Sequence, residues 1–347
     1  MAVDRDVVVI GGGQAGLAAG FYLARGGADF EILDASPGPG GAWPHTWPSL
    51  RLFSPADYSS LPGRRMPRTE GGNPDAGHVV RYLREYEEYY DLPVRRGVRV
   101  TAVERADGGG FLVRAADGRR WRGPSGLPPA RPRAPPPLPP PPGAGGFRGM
   151  QLHSAGYRGP GEFEGRRVVV VGGANSGAQI AADLAGRADL LWCTTGPPRY
   201  LPDDVDGREL FRVATASVRS GTGRGVAELG DIVVVPPVRE ARDAGRLVAT
   251  PMFDRFRPDG VEWDDGRVEP VDAVIWCTGF RPALGHLRAL GLRRVGGRVV
   301  ASGPVVPDVP GLYLLGYGDW CGAASATLIG VGQWAKAAVA DALAVTP

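Results

Sequence analysis

Hydrophobic and polar positions alternate along this chain in a pattern that occurs twice. Val7-Val8-Val9-Ile10 is a short, unbroken, β-branched run, as expected for a strand buried on both faces of a parallel sheet. It leads into Gly11-Gly12-Gly13-Gln14-Ala15-Gly16, then into an alanine-rich helical stretch at 17–25. A second apolar run, Phe30-Glu31-Ile32-Leu33, ends at Asp34. The order returns at 168–171, four valines followed by Gly172-Gly173-Ala174-Asn175-Ser176-Gly177, a helical stretch at 178–186, and a strand at 190–193 that closes on Thr194-Thr195. Residues 98–103 and 111–121 alternate across Asp107-Gly108-Gly109-Gly110, which predicts a hairpin. Asp265-Gly266-Arg267 opens a strand ending at Cys277-Thr278-Gly279. Residues 311–319 read as one more buried strand, with a helix over about 327–344.

The first glycine cluster fits G-x-G-x-x-G. Gly11 suits the tight turn, Gly13 lets backbone approach a pyrophosphate, and Gly16 lets the helix pack closely on the strand. Gln14 and Ala15 open that helix, whose N-terminus offers unpaired N–H groups and a positive dipole end. Asp34 stands 18 residues after Gly16, close to the place of an acid that hydrogen-bonds a ribose diol. A glycine-rich turn in another kind of α/β protein is the alternative. Strand, helix, second strand and terminal acid in order argue for a dinucleotide.

In the second copy the middle glycine is Ala174, whose methyl must fit beside the pyrophosphate, and the acid is replaced by Thr195, again 18 residues on from Gly177. A neutral residue there neither repels a 2′-phosphate nor makes the diol contact that favours NAD, and Arg199 is the nearest basic candidate. Weak discrimination between NADPH and NADH is expected. Two nucleotide folds in one chain argue for two dinucleotides, one flavin and one nicotinamide, and the strand ending at Gly318-Asp319 with a helix after it resembles the close of many FAD folds. That resemblance implies an α/β fold class with two Rossmann-like dinucleotide-binding domains, the second inserted in the first. Residues 1–155 and 271–347 are expected to hold FAD, and 156–270 NADPH or NADH.

Composition narrows the partners. The chain has 347 residues, 43% hydrophobic and 22% charged, with a formal net charge of +3 and no basic block, so nucleic acid is not a favoured partner. The start carries no signal-peptide pattern and no stretch approaches a membrane span, which points to the cytoplasm. Cys193, Cys277 and Cys321 are widely separated, with no C-x-x-C and no metal-ligand spacing.

Between the two folds, Phe147, Gly149, His153 and Tyr157 make F-x-G-x-x-x-H-x-x-x-Y. This matches the identifying pattern of flavin-containing monooxygenases at every fixed position, and the chain resembles a small bacterial member of that family. Gly41, Ala42 and Trp43, preceded by Gly40, resemble the family's G-G-x-W flavin contact. The following segment with Trp47 and Phe53 resembles the shorter bacterial branch, which includes members found beside arsenic-resistance genes. So do Asp203-Asp204-Val205-Asp206-Gly207 and Trp276-Cys277-Thr278-Gly279-Phe280. Trp43, Trp47 and Phe53 read either as a flavin-side wall or as ordinary core aromatics, and His153 either as functional or as a satisfied linker histidine.

The resemblance implies FAD at Gly11, Gly13, Gln14, Ala15, Gly16, Asp34, Gly41, Ala42, Trp43 and Trp47. Asp319 would hold the ribityl chain, and the helix opening near Leu328 would point its N-terminus at the flavin pyrimidine. NAD(P)H falls to Gly172, Ala174, Asn175, Ser176, Gly177, Thr195, Thr278 and Gly279. The implied activity is oxygenation: FAD reduced by NAD(P)H takes O2 at C4a and passes one oxygen to a small sulfide, amine or ketone. The cofactor carries that chemistry, so no catalytic side-chain set is required. An NAD(P)H oxidase that oxygenates nothing and an inactive flavoprotein remnant are the alternatives, and a homodimer is compatible with either.

Residues 123–146 depart from this picture. Eleven of the 34 prolines fall between Pro124 and Pro142, and no Val, Ile, Thr or Phe occurs from 122 to 146. Ala130 stands twelve residues after Gly118, where the second domain has Thr278 twelve after Gly266. Proline is excluded from central strands, so the segment is expected to remove a strand beside the flavin. A pair of compensating frameshifts in a GC-rich gene accounts for it. A polyproline II linker is the other reading.

Overall fold

The computed structural model describes residues 1–128, 141–205, 207, 209, 212 and 232–345. Strand β1 (Val3–Asp4) precedes β2 (Val7–Ile10), helix α1 (Gln14–Arg25) and β3 (Phe30–Leu33). β2 and β3 run parallel, Val7 opposite Phe30 and Ile10 opposite Leu33. β4 (Val94–Arg95) lies beyond β3 and β8 (Ser125–Leu127) beyond β2, in the order β4-β3-β2-β8.

The unbroken apolar run of β2 has a direct cause. Val7 and Val9 enter a core with α1, α2 (Ala76–Tyr89) and the last helix, Leu328–Val345. Val8 and Ile10 enter another, with β5 (Val100–Arg105), β6 (Phe111–Ala115) and β7 (Arg120–Gly123). Both faces are covered, so neither tolerates a polar side chain.

A second parallel sheet has the order β12-β11-β10-β16-β9. Its strands are β9 (Met150–His153), β10 (Arg167–Val171), β11 (Asp189–Thr194), β12 (Ala249–Pro251) and β16 (Ala273–Trp276). Helix α3 (Asn175–Leu184) and the helix Pro236–Asp243 cover one face. The other packs on an antiparallel meander of β13 (Arg255–Arg257), β14 (Gly260–Glu262) and β15 (Val268–Pro270). Because β9 and β16 pair with each other, this sheet reaches past the expected 156–270 boundary at both ends. No helix among the described residues is long and apolar enough to cross a membrane.

Four sequence expectations need correction. The single strand expected from Asp265-Gly266-Arg267 to Cys277-Thr278-Gly279 is two, β15 in the meander and β16 in the parallel sheet. The arm at 111–121 is two strands, β6 and β7, because Asp117-Gly118 makes its own turn, with Gly118 at φ +87°. Residues 123–146 do not remove the strand beside β2. β8 is fully buried and pairs in parallel with Val7–Val9 of β2 before Pro128. Residues 129–140, including Ala130, lie outside the described residues. The buried segment at 311–319 is not a laddered strand: it meets β8 at a single bridge, Gly126 to Leu312. Gly126 bonds to this segment through both its N–H and its carbonyl, and the residues two positions either side of it are Pro124 and Pro128, which have no N–H to extend the ladder.

One buried carboxylate ties a separate four-stranded sheet, of order β1-β7-β6-β5, to the first sheet. Glu31 on β3 is 4% exposed and accepts from Arg5 (2.8 Å), Arg95 (3.0 Å) and the Trp121 indole (2.7 Å). Burial alone would raise its pKa; the bonds from Arg5, Trp121 and Arg95 outweigh that, and the net shift is downward. A depressed carboxylate contributes stability that is present above the unfolded value and lost as pH falls through the folded one. Glu31→Gln is therefore expected to destabilise the protein by about 2 kcal/mol at neutral pH. In denaturant titrations, its gap from wild type should narrow below about pH 4.

Candidate cofactor sites

The first site is built where β2 turns into α1. Gly11 takes φ +127°, a conformation open to glycine at little cost, and Gly13 caps α1 with no side-chain acceptor on the first-turn N–H groups. The Gly41 segment crosses this turn at backbone contact. A Cβ at Gly41, itself at φ +60°, would come within 2.6 Å of Gly13 Cα. Beyond it, Trp43 Nε1 donates to Gln14 Oε1 at 3.0 Å, and Gln14 Nε2 donates to Ala326 O at 2.8 Å. Three segments far apart in sequence thus meet at one edge: the glycine turn, the G-G-x-W segment and the loop before the last helix.

In that loop, Asp319 accepts the Ala324 N–H at 2.9 Å, and Thr327 caps the helix that begins at Leu328. The buried Asp34 lies at the C-terminal end of β3 and accepts from Ser36 N at 3.2 Å. Sequence reasoning did not find Arg96, which contacts both Asp34 and Glu87. It belongs to no motif and stands 62 residues from Asp34.

Trp47 is not brought to this edge. It is 5% exposed and packs in the core of the second sheet, edge-on to Tyr157 at 6.2 Å. Ala42 and Ala15 contribute backbone, Ala15 as the second residue of α1.

At the second site, Gly172 takes φ +132°, and a Cβ there would lie 2.5 Å from Cys277 O. A Cβ at Gly177 would fall 1.9 Å from Gly172 O, which also accepts from the Trp192 indole. The third glycine thus answers the closeness of helix and strand. Ala174 caps α3 in extended geometry and is exposed, so its methyl meets no protein wall. Asn175 points back into the protein, where its Oδ1 accepts from Val233 N at 2.8 Å. Ser176 and Gly177 continue the first turn of α3. Thr195 and Arg199 are exposed beyond the end of β11, and the register, Val171 opposite Cys193 as Ile10 is opposite Leu33, puts Thr194 rather than Thr195 in the place of Asp34. Thr278 Oγ1 is buried without a hydrogen-bond partner, a donor that this edge leaves unused.

The linker motif is a joint. Gly149 has no room for a side chain, since a Cβ would meet the Phe147 ring at 2.3 Å and Asp272 O at 2.6 Å. His153 Nε2 contacts Gly279 O at 2.9 Å while Nδ1 accepts from Ala155 N at 3.1 Å, which assigns the proton to Nε2. Burial lowers its pKa against the opposing effect of the Gly279 bond, so the ring is neutral at pH 7 and braces the Thr278-Gly279 turn. Tyr157 is fully buried and donates to Asp183 on α3, which also accepts from Ser49. Asp206 lies outside the described residues; Gly207 N bonds to Phe53 O at 2.8 Å.

Two parallel sheets, each with a glycine turn opening at its C-terminal edge, define a flavoprotein oxidoreductase of the two-dinucleotide type. Residues 9–49 match the NAD(P)-binding Rossmann-like domain and 133–198 the flavin-binding monooxygenase-like family. The structure of a flavin-containing monooxygenase from Stenotrophomonas maltophilia is 46% identical, with 99% of each chain covered and a TM-score of 0.89. An uncharacterized oxidoreductase, CzcO, of Bacillus velezensis is 29% identical over 90% of this chain and 91% of its own. S-allyl-L-cysteine S-oxygenase from Allium sativum, at 21% identity and TM-score 0.71 over 97% of this chain and 76% of its own, shares the fold. The chain belongs to the bacterial flavin-containing monooxygenases, FAD- and NAD(P)H-dependent oxidoreductases.

The tight approach at Gly177 makes a direct prediction. Gly177→Ala should push α3 off β10 and lower stability by about 1–3 kcal/mol, read as a drop in Tm. An unchanged Tm would mean the helix can retreat without cost.

Proposed function

We propose that the first glycine turn holds FAD, the second NAD(P)H, and that the enzyme oxygenates a small soft nucleophile, a sulfide or amine, with ketones a further class. The observation that carries the FAD assignment is the hydrogen-bonded line from Trp43 through Gln14 to Ala326, with Gly41 laid against Gly13. The residues present fit such a group. Gly13 has open space apart from Gly41 Cα at 3.5 Å, and the α1 N-terminus has donors to spend.

Bound FAD would accept hydride from NAD(P)H and activate O2. The chain supplies the rest. Gly11 and Gly13 let backbone approach the pyrophosphate, while Gln14, Ala15 and Gly16 present the helix end. Asp34 accepts from the ribose diol, and Gly41, Ala42 and Trp43 close over the turn. Asp319 orients the ribityl side, and the helix from Leu328 offers its N-terminus to the ring. On the nicotinamide side, Gly172, Ala174, Ser176 and Gly177 receive the pyrophosphate, Thr194 and Thr195 the adenosine ribose, and Thr278 Oγ1 donates beside Gly279. Asn175 acts indirectly, through Val233.

A disulfide-exchange reaction does not fit these residues. Burial pushes the thiols of Cys193 and Cys277 up to about 12, so neither is a thiolate at neutral pH. The same reading puts the protein in the cytoplasm and is compatible with a homodimer.

The test begins with the visible spectrum of the purified full-length protein, where flavin bands at near one per chain are expected. With NADPH, O2 and a thioether, sulfoxide should form in step with NADPH consumed. Peroxide in place of sulfoxide would make it an oxidase, and a protein that stays colourless with added FAD would sink the proposal. With the neutral Thr194 and Thr195 at the end of β11 in place of an acid, kcat/KM for NADPH and NADH should agree within about tenfold. A hundredfold preference would overturn that assignment.

A further inference from the structure

Asp34 is not the only charged group at the end of β3. Arg96, in the turn after β4, sends one guanidinium nitrogen to Asp34 and the other to Glu87 on α2. All three side chains are largely withdrawn from water, with exposures of 9% for Asp34, 18% for Glu87 and 20% for Arg96. The guanidinium also lies against the glycine turn. A Cβ on Gly12 would come within 2.9 Å of Arg96 Nη1 and 2.9 Å of Asp34 Oδ2. β2, β3 and β4 are parallel neighbours, so their C-terminal ends line one edge, the side on which such sheets take up ligands. One cation therefore sits where the glycine turn, the ribose acid and the next strand converge.

We propose that Arg96 is a positioning residue for the AMP half of FAD, acting through Asp34. This rests on the reading that places FAD at the first glycine turn. The carboxylate of Asp34 is short and exchanges rotamers easily. Arg96 holds one of its oxygens and Ser36 N the other, leaving a lone pair on each for the ribose hydroxyls. Glu87 makes the clamp rigid by anchoring the far nitrogen to a helix. A lysine could not do the same work, because a single ammonium lacks the fork that spans two carboxylates. At the second site the position matching Gly12 is Gly173, whose Cβ would meet only the Thr194 side chain at 3.3–3.4 Å. Thr194 holds the register position of Asp34 there, and the contact is neutral.

The test measures binding of FAD and FMN to the full-length protein freed of flavin, by quenching of flavin fluorescence. FMN lacks the AMP half and serves as the control. Arg96→Met is expected to weaken FAD about ten- to a hundredfold, as for loss of a charge-assisted hydrogen bond, with FMN changed by less than about twofold. In an Asp34→Asn background the same change should weaken FAD by less than about threefold, since a residue acting through another is non-additive with it. Unchanged FAD affinity, equal losses for FAD and FMN, or full additivity would each overturn the proposal. Should Arg96→Met fail to fold, Arg96→Lys carries the same comparison: it keeps the charge but not both contacts, and must still lose FAD selectively. A wild-type chain that binds no FAD overturns the cofactor placement itself. Wild-type binding with unaffected variants overturns only the role of Arg96.

Discussion

The organisation of the first cofactor edge depends on a backbone contact between Gly41 and Gly13. No side chain fits between them, since a Cβ on Gly41 would sit 2.6 Å from Gly13 Cα. With these two backbone segments in contact, Trp43 reaches Gln14, and Gln14 in turn reaches the carbonyl of Ala326. The loop before the last helix is thereby held against the start of α1. Remove the contact and the three segments have no common reference.

The second edge is assembled by a different economy. Its glycines are required by packing within the sheet and helix, Gly177 against Gly172 O and Gly172 against Cys277 O. Two polar side chains at this edge serve as struts within the protein, Asn175 to Val233 and His153 to Gly279. In the register position of the buried, clamped Asp34 the second edge has the buried and neutral Thr194, with the exposed Thr195 next to it.

The joint between the sheets uses residues from both. Tyr157 lies between Trp47 and Phe163 and bonds to Asp183, which also takes Ser49. Gln179 and the backbone of Arg51 bond reciprocally. The segment that starts over the first glycine turn at Gly41 therefore ends packed on α3, so the two sheets cannot shift independently without breaking buried contacts.

The sequence by itself determined the local elements and the cofactor class. β-branched runs, glycine spacing and a terminal acid are constraints between near neighbours, and they survive in any chain that folds this way. The strands at 7–10, 30–33 and 168–171, and the helices that follow the first and third, come from those constraints alone. What only the tertiary structure decided are contacts between residues far apart. Arg96 beside Asp34, Glu31 under Trp121, and the burial of Trp47 away from the glycine turn depend on which strand lies next to which. The short strand at Ser125–Leu127 shows the same division. Its composition argues against a strand, yet three residues suffice once β2 offers its free edge, because burial and backbone pairing outweigh local propensity.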